Sequence, residues 1–151
     1  ISIDNIKHVE VAEILGRDSV KPNQSLLERN ITDKNILITG AGGTIGSAIV
    51  RVFEAVGAEV VAVDINAESL TQQGFSSKVL QKTLDLTNAD QINELTNDIV
   101  RQYGGVDILV SNAGTAPQAS ILDMEEELLR RSLDINFFAH FHFLTTRLRL
   151  F

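Results

Sequence analysis

Residues 35–64 leave this chain few folds to choose from. Asn35-Ile36-Leu37-Ile38-Thr39 is a short, apolar, β-branched run, the composition of a buried strand. Glycines follow at positions 40, 43 and 46, in the pattern G-x-x-G-x-x-G. Ile45, Ile49, Val52, Phe53 and Val56 then recur at helical spacing. A second apolar run, Glu59-Val60-Val61-Ala62-Val63-Asp64, ends in an acid. Strand, glycine turn, helix, strand and acid, in that order, predict a βαβ unit that binds a dinucleotide.

Each part of the unit has a physical task. Gly40 lets the chain leave the strand in a turn that a Cβ would strain. Gly43 leaves no side chain between the backbone and a pyrophosphate, and Gly46 lets helix and strand pack closely. The N–H groups and positive dipole end of the helix face the phosphates. Asp64 stands 24 residues after Gly40, close to the ~20 expected of the acid that holds a ribose 2′-hydroxyl.

The 151 residues suit one domain. A formal net charge of −7 argues against a nucleic-acid partner. The absence of cysteine excludes disulfides and thiolate metal sites and fits a reducing compartment. No apolar run approaches the ~18 residues of a membrane span. Asp4, Lys7 and Glu10 interrupt any signal-peptide pattern at the start. The expectation is a cytoplasmic protein without a membrane partner.

Residues 1–33 read as an N-terminal arm or linker, and 34–151 as the dinucleotide-binding domain. In the arm, Val11 to Leu15 suggests a helical turn and Lys21 to Gln24 a loop. Ser25 caps a short helix through Asn30, with Glu28 as its capping-box partner. After Asp64, a short helix over Ala67 to Gln73 begins at Asn66 and stops at Gly74. Lys78 to Leu84 is the third strand. The helix carrying Ile92, Leu95, Ile99 and Val100 starts at Thr87 or Asn88 and ends at Gly104-Gly105. Val106 to Ser111 is the fourth strand. Asp123, Glu125, Glu126 and Glu127 open a last helical region, where acids complement the dipole. Its stripe runs through Leu129, Leu133, Phe137, Phe141, Leu144 and Leu148, as one helix or as two broken near Ser132. The alternation predicts an α/β, doubly wound parallel sheet of Rossmann type, with strand order 3-2-1-4.

Four motifs resemble those of the short-chain dehydrogenases/reductases. They are Thr39-Gly40 with the glycine loop, Asp85-Leu86-Thr87, Ser111-Asn112-Ala113-Gly114, and Leu133-Asp134-Ile135-Asn136-Phe137-Phe138. Their order and spacing match over residues 34–148. The resemblance implies an NAD(P)-dependent oxidoreductase acting on a small molecule. It implies a cofactor set of Thr39, Gly40, Gly43, Thr44, Ile45, Gly46, Asp64, Ile65, Asp85, Leu86, Asn112, Ala113 and Gly114. Within that set Asp85 binds the adenine amino group, and Asn112 to Gly114 line the ribose side. Asn136 matches the helix asparagine of the family's Asn-Ser-Tyr-Lys catalytic set. Asp64, with no arginine or lysine in the glycine loop or at Ile65-Asn66, favours NAD over NADP.

The chain also departs from the family pattern. Thr44 stands where T-G-x-x-x-G-x-G has glycine, and residues 9–49 resemble nucleotide-sugar 4,6-dehydratases. Residues 55–148 resemble the conventional dehydrogenase modules. The alternatives are therefore a sugar-nucleotide dehydratase or epimerase, or a non-catalytic nucleotide-binding chain. The only tyrosine is Tyr103, and Asp107 stands four residues on, so no Tyr-x-x-x-Lys is present. Read this way, the sheet is incomplete relative to the family. The chain is expected to be the cofactor-binding front part of a longer enzyme, or a truncated one, inactive alone. It is expected to self-associate through the last helix or the edge strand. His140 and His142 point roughly 200° apart on a helix, so no metal site is expected.

Overall fold

In a computed structural model, the structure describes residues 23–120 and 122–146. The arm's turn at Val11 to Leu15 and the stripe's last member, Leu148, lie outside the described residues. Helix α1 (Gln24–Ile31) leads into strand β1 (Asn35–Thr39). Helix α2 (Thr44–Ala55), strand β2 (Glu59–Asp64), helix α3 (Ala67–Gln72) and strand β3 (Leu80–Thr83) follow. Helix α4 (Ala89–Tyr103) and strand β4 (Ile108–Val110) come next. The chain ends its described course in α5 (Glu126–Leu133), a π-helical turn (Asp134–Phe138) and α6 (Ala139–Thr145).

All pairings are parallel and the order is β3-β2-β1-β4, as the sequence pattern predicts. Side chains alternate across β1, so one strand feeds two cores. Ile36 and Ile38 join Val50, Val60, Ala62 and Leu70 on the face covered by α2 and α3. Leu37 joins Val61, Val63, Ile92, Leu95, Ile99 and Phe143 on the face covered by α4 and α6. That is the doubly wound arrangement.

Several boundaries differ from the sequence reading. The N-cap of α1 is Asn23, not Ser25: the Asn23 side chain accepts from the Leu26 N–H, and the Ser25 hydroxyl donates to the same oxygen. Strand β3 starts at Leu80 because Ser76 turns the chain, accepting from the Val79 N–H at its carbonyl. The last region does not break at Ser132; it stays helical and inserts the π turn two residues later. The junction before β1 is firmly held. Thr32 donates its hydroxyl to the Val56 carbonyl, and Asp33, at φ 60°, donates its N–H to Gly57.

The N-terminal end of the sheet is clipped by Asp107. Its carboxylate accepts from the Asn35 N–H at 2.8 Å and from the Lys34 ammonium at 3.2 Å. Tyr103 lies at this same end, where its carbonyl accepts from the Asn35 side chain. Burial, and then the charge of Glu59, push its phenol above its ordinary value. Tyr103 is thus both remote from the strands' carboxyl ends and a poorer proton donor than a free tyrosine.

Candidate functional site

The loops leaving the carboxyl ends of β1, β2, β3 and β4 meet in one trough. In open α/β sheets this is where ligands sit, beside the point at which strand order reverses. Here that point lies between β1 and β4.

The glycine loop shapes its floor. Gly40 has φ 66°, and a Cβ there would lie 2.9 Å from the Ala113 Cα. A Cβ on Gly46 would overlap the Gly40 carbonyl oxygen. Gly43 is different. Its φ of −80° suits any residue, and an added Cβ would meet only the Gly40 oxygen, at 3.4 Å. Glycine at 43 is therefore not demanded by the fold; it keeps the trough open.

Helix α2 begins at Gly43 with no side-chain cap. By contrast α1, α3 and α4 begin at Asn23, Asn66 and Asn88, whose side chains accept first-turn N–H groups. The uncapped N–H groups of α2 open onto a hollow of about 350 Å³ that includes Gly43, Thr44, Ile45, Gly46 and Asp64. An anion is the partner such a helix end accepts.

Asp64 is fixed from two sides. One carboxylate oxygen accepts from the Gly42 N–H at 2.9 Å and the other from the Asn66 N–H at 3.0 Å. A carboxylate has about four lone-pair sites, so acceptor capacity remains for hydroxyl groups. Asp64 also borders a second hollow, of about 270 Å³, with Ile65, Asp85, Leu86, Arg131 and Ile135. A third, of about 290 Å³, adjoins it and again holds Ile65, Asp85, Arg131 and Ile135, but not Asp64. Along the trough the order is helix N-terminus, Asp64, then Asp85 with Arg131. Phosphate, ribose and adenine fit that order of donors and acceptors.

One oxygen of Asp85 accepts from the Thr87 N–H and hydroxyl, at 2.9 and 2.8 Å. This is a local turn; Asn88, not Asp85 or Thr87, caps α4. The second oxygen of Asp85 has no partner among the described hydrogen bonds.

On the β4 side, Asn112 donates its side-chain amide to the carbonyls of Thr39 and Gly40. Ala113 and Gly114 border the first two hollows. Thr39, assigned to the cofactor set by resemblance, sits beneath the trough. It is fully buried, and its hydroxyl accepts from the N–H groups of Asn112 and Ala113, both at 3.0 Å. It holds the β4 loop from beneath rather than lining the trough.

Asn136 lies in the π turn and grips the β4 loop. It accepts from the Thr115 N–H at 2.8 Å and donates to the Thr115 carbonyl at 2.6 Å. Its amide also donates to Ser132. π turns recur at functional sites; this one presents Ile135 to the trough, while Asn136 holds Thr115 in its wall. His140 contacts the Ser111 hydroxyl at 2.6 Å and shares nothing with His142. Among the described residues no cluster of His, Asp and Glu could hold a metal ion. No helix among them is long and apolar enough to cross a membrane.

Arg131, Ile135 and Thr115 are part of the trough wall but were not in the sequence-based site. The spacing of Arg131 and Ile135, four apart on one helical face, is the signal that pairs them. Only the fold turns that face toward β2 and β3.

The chain is similar to known proteins in sequence and fold. A family model described as short chain dehydrogenase matches residues 34–151. A 3-oxoacyl-(acyl-carrier-protein) reductase from Thermotoga maritima is 38% identical over 108 residues, covering 68% of this chain and 44% of its own length. Epidermal retinol dehydrogenase 2 from Mus musculus is 27% identical over 152 residues, covering 92% of this chain and 48% of its own. The ligand-free aldohexose dehydrogenase of Thermoplasma acidophilum superposes with a TM-score of 0.68 at 30% identity, covering 76% of this chain and 42% of that one. A short-chain dehydrogenase/reductase from Brucella melitensis gives 0.72 at 27%, covering 76% and 49%. The chain spans under half the length of these relatives.

Proposed function

The chain belongs to the short-chain dehydrogenase family, and from that premise we propose that it builds the NAD site of an oxidoreductase acting on a small molecule. The observation that carries this reading is the run of α2 N-terminus, Asp64 and Asp85 along one trough. The α2 N–H groups bind the pyrophosphate, the Asp64 carboxylate accepts from the adenosine ribose hydroxyls, and Asp85 accepts from the adenine amino group. In such an enzyme the nicotinamide supplies or accepts a hydride. The family's proton-handling Tyr-x-x-x-Lys is not in this sequence, so the role of these residues is to bind and orient. Asn136 belongs to that role, holding Thr115 beside the trough.

The reading places 1–33 as an arm or linker and 34–151 as the NAD-binding unit, supported by the span of the family match. It includes a cytoplasmic location, which the lack of cysteine favours. It excludes nucleic acid, which a net charge of −7 would repel.

NAD is preferred over NADP because a 2′-phosphate would meet the Asp64 carboxylate. Calorimetric titration with both cofactors tests this. NAD should bind at least about tenfold tighter, a difference of about 1.4 kcal/mol, and Asp64→Ala should narrow the gap. Equal or tighter binding of NADP by the unmutated chain would refute the preference.

A further inference from the structure

We propose that Arg131 forms the outer wall of the adenine subsite, its guanidinium stacked on the face of the ring whose amino group Asp85 accepts. The inference rests on the dinucleotide reading above and adds a binding determinant that comes from a different part of the chain.

Arg131 borders both hollows at the Asp85 end of the trough and is absent from the hollow at the glycine loop. A ring accepted by Asp85 would therefore share its hollow with Arg131. The neighbours Ile65 and Ile135 border the same two hollows. Their apolar surfaces give a flat heterocycle something to pack against.

Charge state points the same way. Arg130, the adjacent residue, is neutralised by Glu126 at 2.6 and 2.8 Å. The ion pairs found among the described residues do not include Arg131. A planar guanidinium beside a hollow that has Ile65 and Ile135 in its wall has a ready partner in a purine face, with which arginine stacks well. Asp85 then reads the edge of the ring while Arg131 covers its face. Asp64 and Arg131 border the same hollow, so a 2′-phosphate on the ribose is the rival partner for the guanidinium, and the 2′-phosphorylated ligand tells the two apart.

Calorimetric titration of the chain with ADP-ribose, 2′-phospho-ADP-ribose and NAD tests the proposal. Arg131→Ala should weaken ADP-ribose and NAD alike by about three- to fivefold, the scale of a cation–π contact at an exposed side chain. Arg131→Lys, which keeps the charge and loses the plane, should recover little of that loss. Arg101→Ala, on α4 and outside all three hollows, should change nothing. Arg131 is exposed, so circular dichroism should report an unchanged fold. Binding of ADP-ribose by Arg131→Ala within twofold of the unmutated chain would overturn the proposal. So would full recovery by lysine, or a loss confined to the 2′-phosphorylated ligand. If the unmutated chain bound no ADP-ribose, the dinucleotide reading itself would fall and this inference with it.

Discussion

The floor of the trough depends on one hydroxyl. Thr39 accepts two backbone N–H groups of the β4 loop while fully buried. Thr39→Val keeps the shape and strands both donors. Each unpaired buried donor costs about 1–3 kcal/mol, so denaturant unfolding should show a loss in that range or above, while Thr39→Ser should stay close to the parent. An unchanged midpoint for the valine variant would show that water replaces the hydroxyl. At this scale the sequence is most legible where backbone geometry demands a residue type. Gly40 and Gly46 announce themselves, because a Cβ there meets backbone. Asp64 is legible from its spacing to the glycines. Thr39 is legible as part of the motif, but nothing in Thr-Gly says that its hydroxyl points inward. Arg131 and Thr115 were not legible, because no local pattern says which distant loop they face.

Among the elements, the clip at Asp107 ties β1 to the start of β4. The Asn35 N–H, and then the Lys34 ammonium, hold its carboxyl below the ordinary carboxylate value, against the burial that pushes it up. A group whose folded pKa is depressed adds stability above its unfolded pKa, about 3.9 for aspartate, and loses it as pH falls through the lower folded value. Asp107→Asn should therefore destabilise the chain at pH 7 and flatten its stability profile below about pH 4. The two proteins should converge toward the acid end in urea titrations at several pH values. Parallel curves would remove Asp107 from the account. Strands and helices were legible from their periods of two and 3.6, because burial selects residues by face. Ends were less so. Asn23 and Ser25 are both capping residue types, and the choice fell to where α1 packs, with Ile31 against the core. The π turn was invisible: Leu133, Phe137 and Phe141 keep an i, i+4 stripe that an uninterrupted α-helix would also show.

As a whole, the molecule leaves apolar surface uncovered among its described residues at the β4 edge, along the last helical region and on α2, where Ile45 and Val52 are exposed. Strand β4 pairs with β1 alone, and unpaired edges invite a second chain. Along the last helical region Leu133, Phe137, Phe141 and Leu144 are 48%, 61%, 51% and 63% exposed. A stripe of that kind marks an interaction surface. The 151-residue chain should self-associate in size-exclusion chromatography with light scattering, and replacing Phe137 and Phe141 by serine should shift it toward monomer. It should also show no alcohol oxidation with NAD, since its only tyrosine sits at the wrong end of the sheet with a raised pKa. A stable monomer with NAD-dependent turnover would contradict both statements. The strand order was legible because right-handed crossovers leave a βαβαβαβ pattern little choice.

The central claim is that the glycine loop and α2 N-terminus hold a dinucleotide, and Gly43 isolates it from the fold. Its backbone suits any residue, and a Cβ there meets only one atom, at 3.4 Å. Gly43→Val therefore fills the trough without disturbing the core. Calorimetric titration of NAD into the parent and the variant, with thermal unfolding of each, is the direct measurement. The account predicts binding by the parent, none by the variant, and nearly equal melting. A folded Gly43→Val chain that binds NAD within about threefold of the parent, roughly 0.7 kcal/mol, would contradict it.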